Sequence, residues 1–180
     1  HKYKIGYVTE NRKEEGLFLN NSITMNVCMN SLDKFYISKQ IPLIQTKKEK
    51  ENAQVYVDKL EIKTPKLATK AGSLSGGNQQ KVSIAKWLSS ECDILIFDEP
   101  TAHLDIETEL ELKKRMLPLM ENRLVFFATH RLHWMKQMDY ILVLKNGKLI
   151  EQGTYQQLLD EHGYFTELMD QTRGKEITHE

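Results

Sequence analysis

Cysteine is almost absent from this sequence: only Cys28 and Cys92 occur, far apart and in no C-x-x-C pair. That excludes a disulfide framework and a thiolate metal site, and it fits a reducing cytosol. Long apolar runs are lacking as well. None approaches the roughly 20 residues that span a bilayer, and no signal peptide is visible, so a membrane role is expected to come through a partner. Neither sign of charge is in excess, because 25 Lys and Arg balance 25 Asp and Glu. Nucleic-acid binders usually carry a basic surplus, which points away from that class. No internal repeat and no low-complexity segment interrupts the chain. It begins with His1 rather than Met, which suggests a fragment or a trimmed chain.

What remains suits one soluble globular domain. The chain has 180 residues, 40% hydrophobic and 28% charged, which leaves little room for a second domain. Tyr3 to Thr9 reads as a short strand, and the charged stretch Asn11 to Gly16 as a loop. Ser22 is placed to cap a helix running to about Phe35. Pro42 breaks the next segment and a polar run follows. Val55, Tyr56 and Leu60 then fall at helical spacing, with Pro65 closing that helix.

The most informative block is Ser73 to Pro100. Gly76 and Gly77 turn into a helix carrying Val82, Ala85, Trp87 and Leu88. Ile94 to Phe97 is an unbroken apolar run, typical of a strand buried on both faces of a parallel sheet. A helix from about Asp105 to Met120 leads to a second apolar strand, Leu124 to Ala128. Tyr140 to Leu144 and Lys148 to Glu151 flank Asn146-Gly147, a strong hairpin signal. Two short helices and a polar tail end the chain. Strands alternating with helices predict an α/β fold with a mostly parallel core.

Three places could carry chemistry. Asp98 and Glu99 end a buried apolar strand, which is costly unless something uses the charges. In phosphoryl-transfer sites one such carboxylate helps to hold Mg²⁺, and a neighbour orients or deprotonates the attacking water; a capping Asp-Glu pair is the plainer alternative. Leu74-Ser75-Gly76-Gly77 precedes a helix, where free amides and the dipole make an anion site; an ordinary Ser-Gly-Gly loop would look the same. His130 emerges from the end of a buried strand and could meet a terminal phosphate and a water, or could be a satisfied strand-end histidine. His133 lies nearby, but no further ligand completes a zinc pattern.

Taken in order along one chain, LSGGNQQ, ILIFDEPT, AHLD and ATH closely resemble the ATPase domains of ABC transporters, and the likeness covers nearly all 180 residues. It implies a truncated P-loop NTPase fold: a helical subdomain over 10–90, the C-terminal part of the core over 91–171, and a tail over 172–180. Leu74 to Gln80 match the signature motif, so Ser75, Gly76, Gly77 and Gln80 are implied nucleotide contacts, with Asp105 of the D-loop. Ile94 to Glu99 match Walker B, with Asp98 at the Mg²⁺ site and Glu99 as catalytic base. His130 matches the switch histidine. Glu10 falls where most members have the Q-loop glutamine beside the metal, and glutamate there resembles sugar importers. The implied cofactors are ATP and Mg²⁺. The implied partners are a second ATPase domain, paired head to tail, and a transmembrane transporter subunit at the cytoplasmic face of the membrane.

The resemblance changes character along the chain. Ile5 to about Asp98 is similar to the second ATPase domain of ribose-type or galactose-type importers. After Thr101 it is similar to a thiol exporter of cytochrome bd assembly. Sugar importers usually carry an Arg-Gly-Ile/Val-Asp type of D-loop rather than Ala-His-Leu-Asp. The change falls at the shared Asp98–Thr101, where recombination or an assembly error would join two relatives most easily.

A G-x-x-x-x-G-K-[ST] loop, whose amides and lysine hold phosphates in this family, is not found at any of the nine glycines. Gly147-Lys148 is followed by Leu149, and Gly174-Lys175 by Glu176. In a complete domain that loop precedes the strand at Tyr3, and the adenine-stacking aromatic lies earlier still. The expectation is therefore the latter part of an ATPase domain, inactive alone, with sheet edge and apolar surface exposed. Two other classes stay open: a non-transport ABC ATPase acting on DNA or ribosomes, and a non-catalytic module lending its signature surface to a partner.

Overall fold

The computed structural model describes residues 4–177 of the chain, with side chains over 4–172. The chain divides into two compact units, His1–Ala128 and Thr129–Glu180.

The first unit is built on three strands, β1 (Ile5–Val8), β2 (Ile94–Asp98) and β3 (Leu124–Ala128). They lie in the order β1-β2-β3, all parallel, with Ile5 opposite Ile94 and Asp98 opposite Ala128. Parallel neighbours need crossovers. From β1 to β2 the chain passes through α1 (Ile23–Cys28), α2 (Thr46–Lys59) and α3 (Gly76–Ser89), and from β2 to β3 through α4 (Ile106–Met120). The expected α/β fold with a parallel sheet is present, although the expected start of β1 at Tyr3 lies outside the described residues. The two strands after Ala128 are not parallel: they pair antiparallel in the second unit.

Local chemistry explains the element ends. Ser22 caps α1 as its sequence position predicts, its hydroxyl accepting from the Met25 amide at 3.1 Å. The helix is shorter than expected: it passes at Met29 into a 3-10 segment kinked at Ser31. Asn11 to Gly16 is not an open loop, because Arg12–Gly16 winds into a single wide helical turn. Pro65 does not set the end of α2, which stops at Lys59. Val55 points outward, and Ala53, Val57 and Leu60 fill the core in its place.

Helices α1, α2 and α3 pack on one another, and α3 packs on β1. The approach requires a glycine. A Cβ on Gly6 would lie 2.9 Å from the Trp87 ring, 3.0 Å from Cys92 Sγ and 3.0 Å from a Leu95 methyl. The opposite face of the sheet is different. Leu95 and Phe97 are buried, but Ile94 and Ile96 are only partly covered, and their register partners Ile5, Tyr7, Leu124 and Phe126 are exposed. The expectation that β2 is buried on both faces is therefore corrected: within this chain one face is covered, and an apolar stripe stays open on the other.

In the second unit, β4 (Ile141–Lys145) and β5 (Lys148–Gly153) form an antiparallel hairpin. Its turn is the predicted Asn146-Gly147, with φ of 51° and 73°, as a two-residue turn of this hand requires. Thr154 and Gln157 make a reciprocal cap on α5 (Tyr155–Asp160). Glu151 accepts from the Phe165 amide at 2.8 Å, at the start of α6 (Tyr164–Ile177). That last helix is longer than the expected short one and takes in most of the supposed tail; 178–180 lie outside the described residues.

Candidate active site and signature surface

Strand β2 delivers its two carboxylates at its C-terminal end. The Tyr7 hydroxyl, from the neighbouring strand, donates to Asp98 Oδ2 at 2.6 Å. This bond holds the Tyr7 proton above the ordinary phenol range, with desolvation and then the charges of Asp98, Glu15 and Glu10 adding to it. Three carboxylates thus act on one exposed hydroxyl, which marks a negative field at the strand end.

Glu99 follows in the left-handed region, at φ 42°. A non-glycine residue there is strained, and such strain persists when its surroundings over-determine it. The Glu99 amide donates to the Ala128 carbonyl at 2.9 Å, and its carbonyl accepts from the Ala102 amide at 3.1 Å. The next anchor is Thr101, buried, whose hydroxyl donates to the buried Glu109 carboxylate. Asp105 then caps α4: Oδ1 accepts from the Thr108 amide at 2.9 Å and Oδ2 from the Thr108 hydroxyl at 2.8 Å. Those bonds hold its carboxyl below the usual carboxylate range.

Ser75 occupies the N-cap of α3, but its hydroxyl does not cap the helix. It accepts from Asn78 Nδ2 at 2.9 Å, while Asn78 Oδ1 accepts from the Lys63 amide at 2.7 Å. Gln79 Nε2 donates to the Leu74 carbonyl at 3.0 Å and steadies the entry to the turn. A Cβ on Gly77 would sit 3.4 Å from Thr108 and 3.6 Å from Leu104. The Ser-Gly-Gly turn therefore rests against the segment that caps α4, within one unit.

A family model described as ABC transporter matches residues 1–102 of this chain. The chain belongs to the ABC transporter family. Both kinds of relative anticipated from its motifs are found. It is 52% identical over 103 residues to the glutathione/L-cysteine transport system ATP-binding/permease protein CydC of Bacillus subtilis, covering 57% of this chain and 18% of that protein. It is 36% identical over 149 residues to the ribose import ATP-binding protein RbsA of Hahella chejuensis, covering 82% of this chain and 29% of that one. Among solved structures it resembles a bacterial Atm1-family ABC exporter with ATP bound, at TM-score 0.73 and 27% identity, over 94% of this chain and 28% of the other. The chain thus spans less than a third of the length of these relatives, and it is an ABC ATPase sequence with likeness to importers and exporters alike.

The residues expected to form the signature (Ser75, Gly76, Gly77), the D-loop (Ala102 to Asp105), the Q-loop position (Glu10) and the Walker B carboxylates (Asp98, Glu99) all lie in the first unit. Glu10, Asn11, Arg12, Lys13 and His103 line one recess of about 220 Å³. Gln80 is 2% exposed and turned into the core, so its amide does not face the open signature surface. His130 is the second residue of the second unit, after Thr129, whose hydroxyl accepts from the Arg131 amide at 3.0 Å. Among the described residues no cluster of three His, Cys, Asp or Glu could cage a metal. One or two carboxylates at a strand end fit Mg²⁺, which takes much of its coordination from phosphates and water. Also among the described residues, no helix is long and apolar enough to cross a membrane. Tyr7, Arg12 and Glu109 are additions that the motifs alone did not mark.

Proposed function

We propose that this chain supplies the hydrolytic carboxylates and the signature surface of a transporter ATPase, coupling ATP binding and hydrolysis to solute movement through a membrane-spanning partner. The observation that carries this reading is the Ser75–Gly77 turn seated against Leu104 and Thr108, with the strained Glu99 in the turn that leads to them.

In this reading Glu99 orients the attacking water and takes its proton, a role worth roughly 10²–10⁴-fold. Asp98, with Glu10, would hold Mg²⁺, and the Tyr7 hydroxyl keeps the Asp98 carboxylate aimed. Bound Mg²⁺–ATP supplies the phosphoryl group and neutralises its charge. His130 holds the terminal phosphate. Ser75, Gly76 and Gly77 offer a hydroxyl and helix amides to a nucleotide held by a second ATPase domain, with Asp105 and its loop at the same junction. Because none of the nine glycines sits in a phosphate-cradling loop, the 180-residue chain needs another domain to hold ATP and is inactive alone.

Calorimetric titration with Mg²⁺–ATP, alongside phosphate release, tests this. No saturable binding and no turnover are expected of the chain alone. Micromolar binding with turnover that disappears in Glu99→Gln would reject the shared-site reading. When a P-loop segment from a relative is joined in front, Glu99→Gln should lower turnover by roughly 10²–10⁴-fold.

A further inference from the structure

Between the 3-10 segment that ends at Phe35 and the start of α2, the chain makes a short excursion that the site does not use. Buried Phe35 and half-buried Tyr36 anchor its base. Tyr36 and Ile44 form an antiparallel bridge. The Ile37 amide donates to the Leu43 carbonyl at 3.0 Å, and the Gln45 amide to the Phe35 carbonyl at 2.7 Å. At the tip, the Ile41 amide donates to the Ser38 carbonyl at 3.2 Å and to the Ser38 hydroxyl at 3.1 Å, while the Ser38 amide donates to the Ile41 carbonyl at 3.3 Å. Pro42 has no amide hydrogen to satisfy. The loop thus meets much of its backbone hydrogen-bonding need without water.

What it turns outward is apolar. Ile37, Ile41, Leu43 and Ile44 are 57%, 48%, 64% and 39% exposed, and every residue over 39–44 is exposed, so the loop projects rather than lining a groove. No charged residue lies between Gln40 and Thr46. Charge resumes on either side with Lys39, Lys47, Lys48 and Lys50, all exposed; nearby stand only the half-buried Glu49 and Glu51. Single exposed apolar residues are ordinary, but four on one short loop are not.

We propose that residues 37–44 form a membrane-surface foot, which sets its apolar tip among the headgroups of an anionic bilayer while the flanking lysines meet the lipid phosphates. Apolar burial and the attraction of lysine for anionic lipid act together in such contacts. Lysine stems lie along apolar surface and leave the ammonium in the headgroup layer. The tip carries no charge and pairs much of its own backbone, so little in it resists leaving water. A projecting loop suits a fluid surface, and its lysines would repel the same face of a second copy. The contact is made by the chain itself, in addition to any membrane-spanning partner, and it does not rest on the transporter-ATPase reading.

The probe is vesicles of equal parts phosphatidylglycerol and phosphatidylcholine, sedimented with the 180-residue chain, with pure phosphatidylcholine vesicles as control. Saturable binding to the mixed vesicles is expected, roughly tenfold or more weaker on phosphatidylcholine, and weakened by rising salt. Ile41→Asp and Leu43→Asp should each weaken it by roughly tenfold, with the thermal unfolding midpoint unchanged because both positions are exposed. Lys47→Glu combined with Lys48→Glu should weaken it as well and flatten its salt dependence. Leu43→Trp places a fluorophore on the tip, and its emission should shift to the blue on mixed vesicles. Equal binding to both vesicles, no binding to either, or an unshifted Leu43→Trp emission overturns the proposal. So does binding that survives Leu43→Asp, which assigns the contact to the open apolar stripe of Ile5, Tyr7, Leu124 and Phe126. Failure of ATP-dependent pairing with a partner domain would instead remove the transporter reading and leave the vesicle result standing.

Discussion

The Thr101 hydroxyl donates a hydrogen bond to the Glu109 carboxylate, and neither residue is exposed to solvent. The pair ties the turn after Glu99 to the first turn of α4. Lys113 stands one turn further along, where burial lowers its pKa and the charge of Glu109 opposes that shift. Removing the hydroxyl leaves a buried carboxylate short of a donor, which typically costs about 1–3 kcal/mol. Thr101→Val should therefore lower the urea midpoint markedly, and Thr101→Ser should retain most of the stability. Equal losses in the two variants would show that methyl packing, not the hydrogen bond, holds the turn.

Glu99 stands at φ 42°, where a side chain costs roughly 1–2 kcal/mol and glycine does not. Part of that gain is offset by the greater freedom of glycine in the unfolded chain. Glu99→Gly should thus raise stability by about 0.5–1 kcal/mol, while Glu99→Gln should leave it nearly unchanged. Thermal unfolding of the two variants checks this; destabilisation by the glycine would remove the case for stored strain.

Gly6 lies against Trp87, Cys92 and Leu95 with no space for a methyl group. Overpacking of this kind costs about 1–3 kcal/mol. Gly6→Ala should lower the denaturation midpoint by that order, and pairing it with Leu95→Val should recover part of the loss. An unperturbed Gly6→Ala protein would mean that β1 can shift away from α3.

Cys28 is buried, and burial pushes its thiol up to about 11 from an ordinary 9.0, against a lowering contribution from Asn52. A folded-state pKa above the unfolded one favours the protonated native protein. The stabilisation is complete below pH 9 and is lost as the pH rises towards 11. Unfolding free energy should fall by up to about 2 kcal/mol across that window. Cys28→Ala should flatten the profile there, although it loses some packing at every pH. A slope that survives the substitution would assign the alkaline loss to other groups.

What the sequence disclosed were the local features. Ser22, Asn146-Gly147 and the apolar runs of β2 and β3 announce themselves because caps, turns and strands depend on neighbouring residues. The positions of Asp98 and Glu99 at the end of β2, and of the Ser75–Gly77 turn at the start of α3, were legible for the same reason. The contacts that tune the site were not. Tyr7 reaches Asp98 only because β1 pairs with β2 in a particular parallel register, and Arg12 meets Gly76 across a long sequence separation. A tripeptide such as Asn11-Arg12-Lys13 reads as a solvated loop until the fold encloses its middle residue. The one-sided burial of Ile94 and Ile96 was equally hidden, because an unbroken apolar run does not say which face a given chain covers.

If Ser75–Gly77 completes a nucleotide site whose phosphate cradle lies on another domain, the chain should pair with such a domain only when nucleotide is bound. Sedimentation of the 180-residue chain with an ABC ATPase domain carrying an intact P-loop, with and without ATP, tests it most directly. A single composite site makes few contacts, and much of their energy offsets lost rotational and translational freedom. Weak association that requires ATP and disappears in Ser75→Arg, where a bulky side chain occupies the phosphate position, is expected. Association that is independent of ATP, or unchanged in Ser75→Arg, would contradict it and assign the contact to the open apolar stripe of Ile5, Tyr7, Leu124 and Phe126.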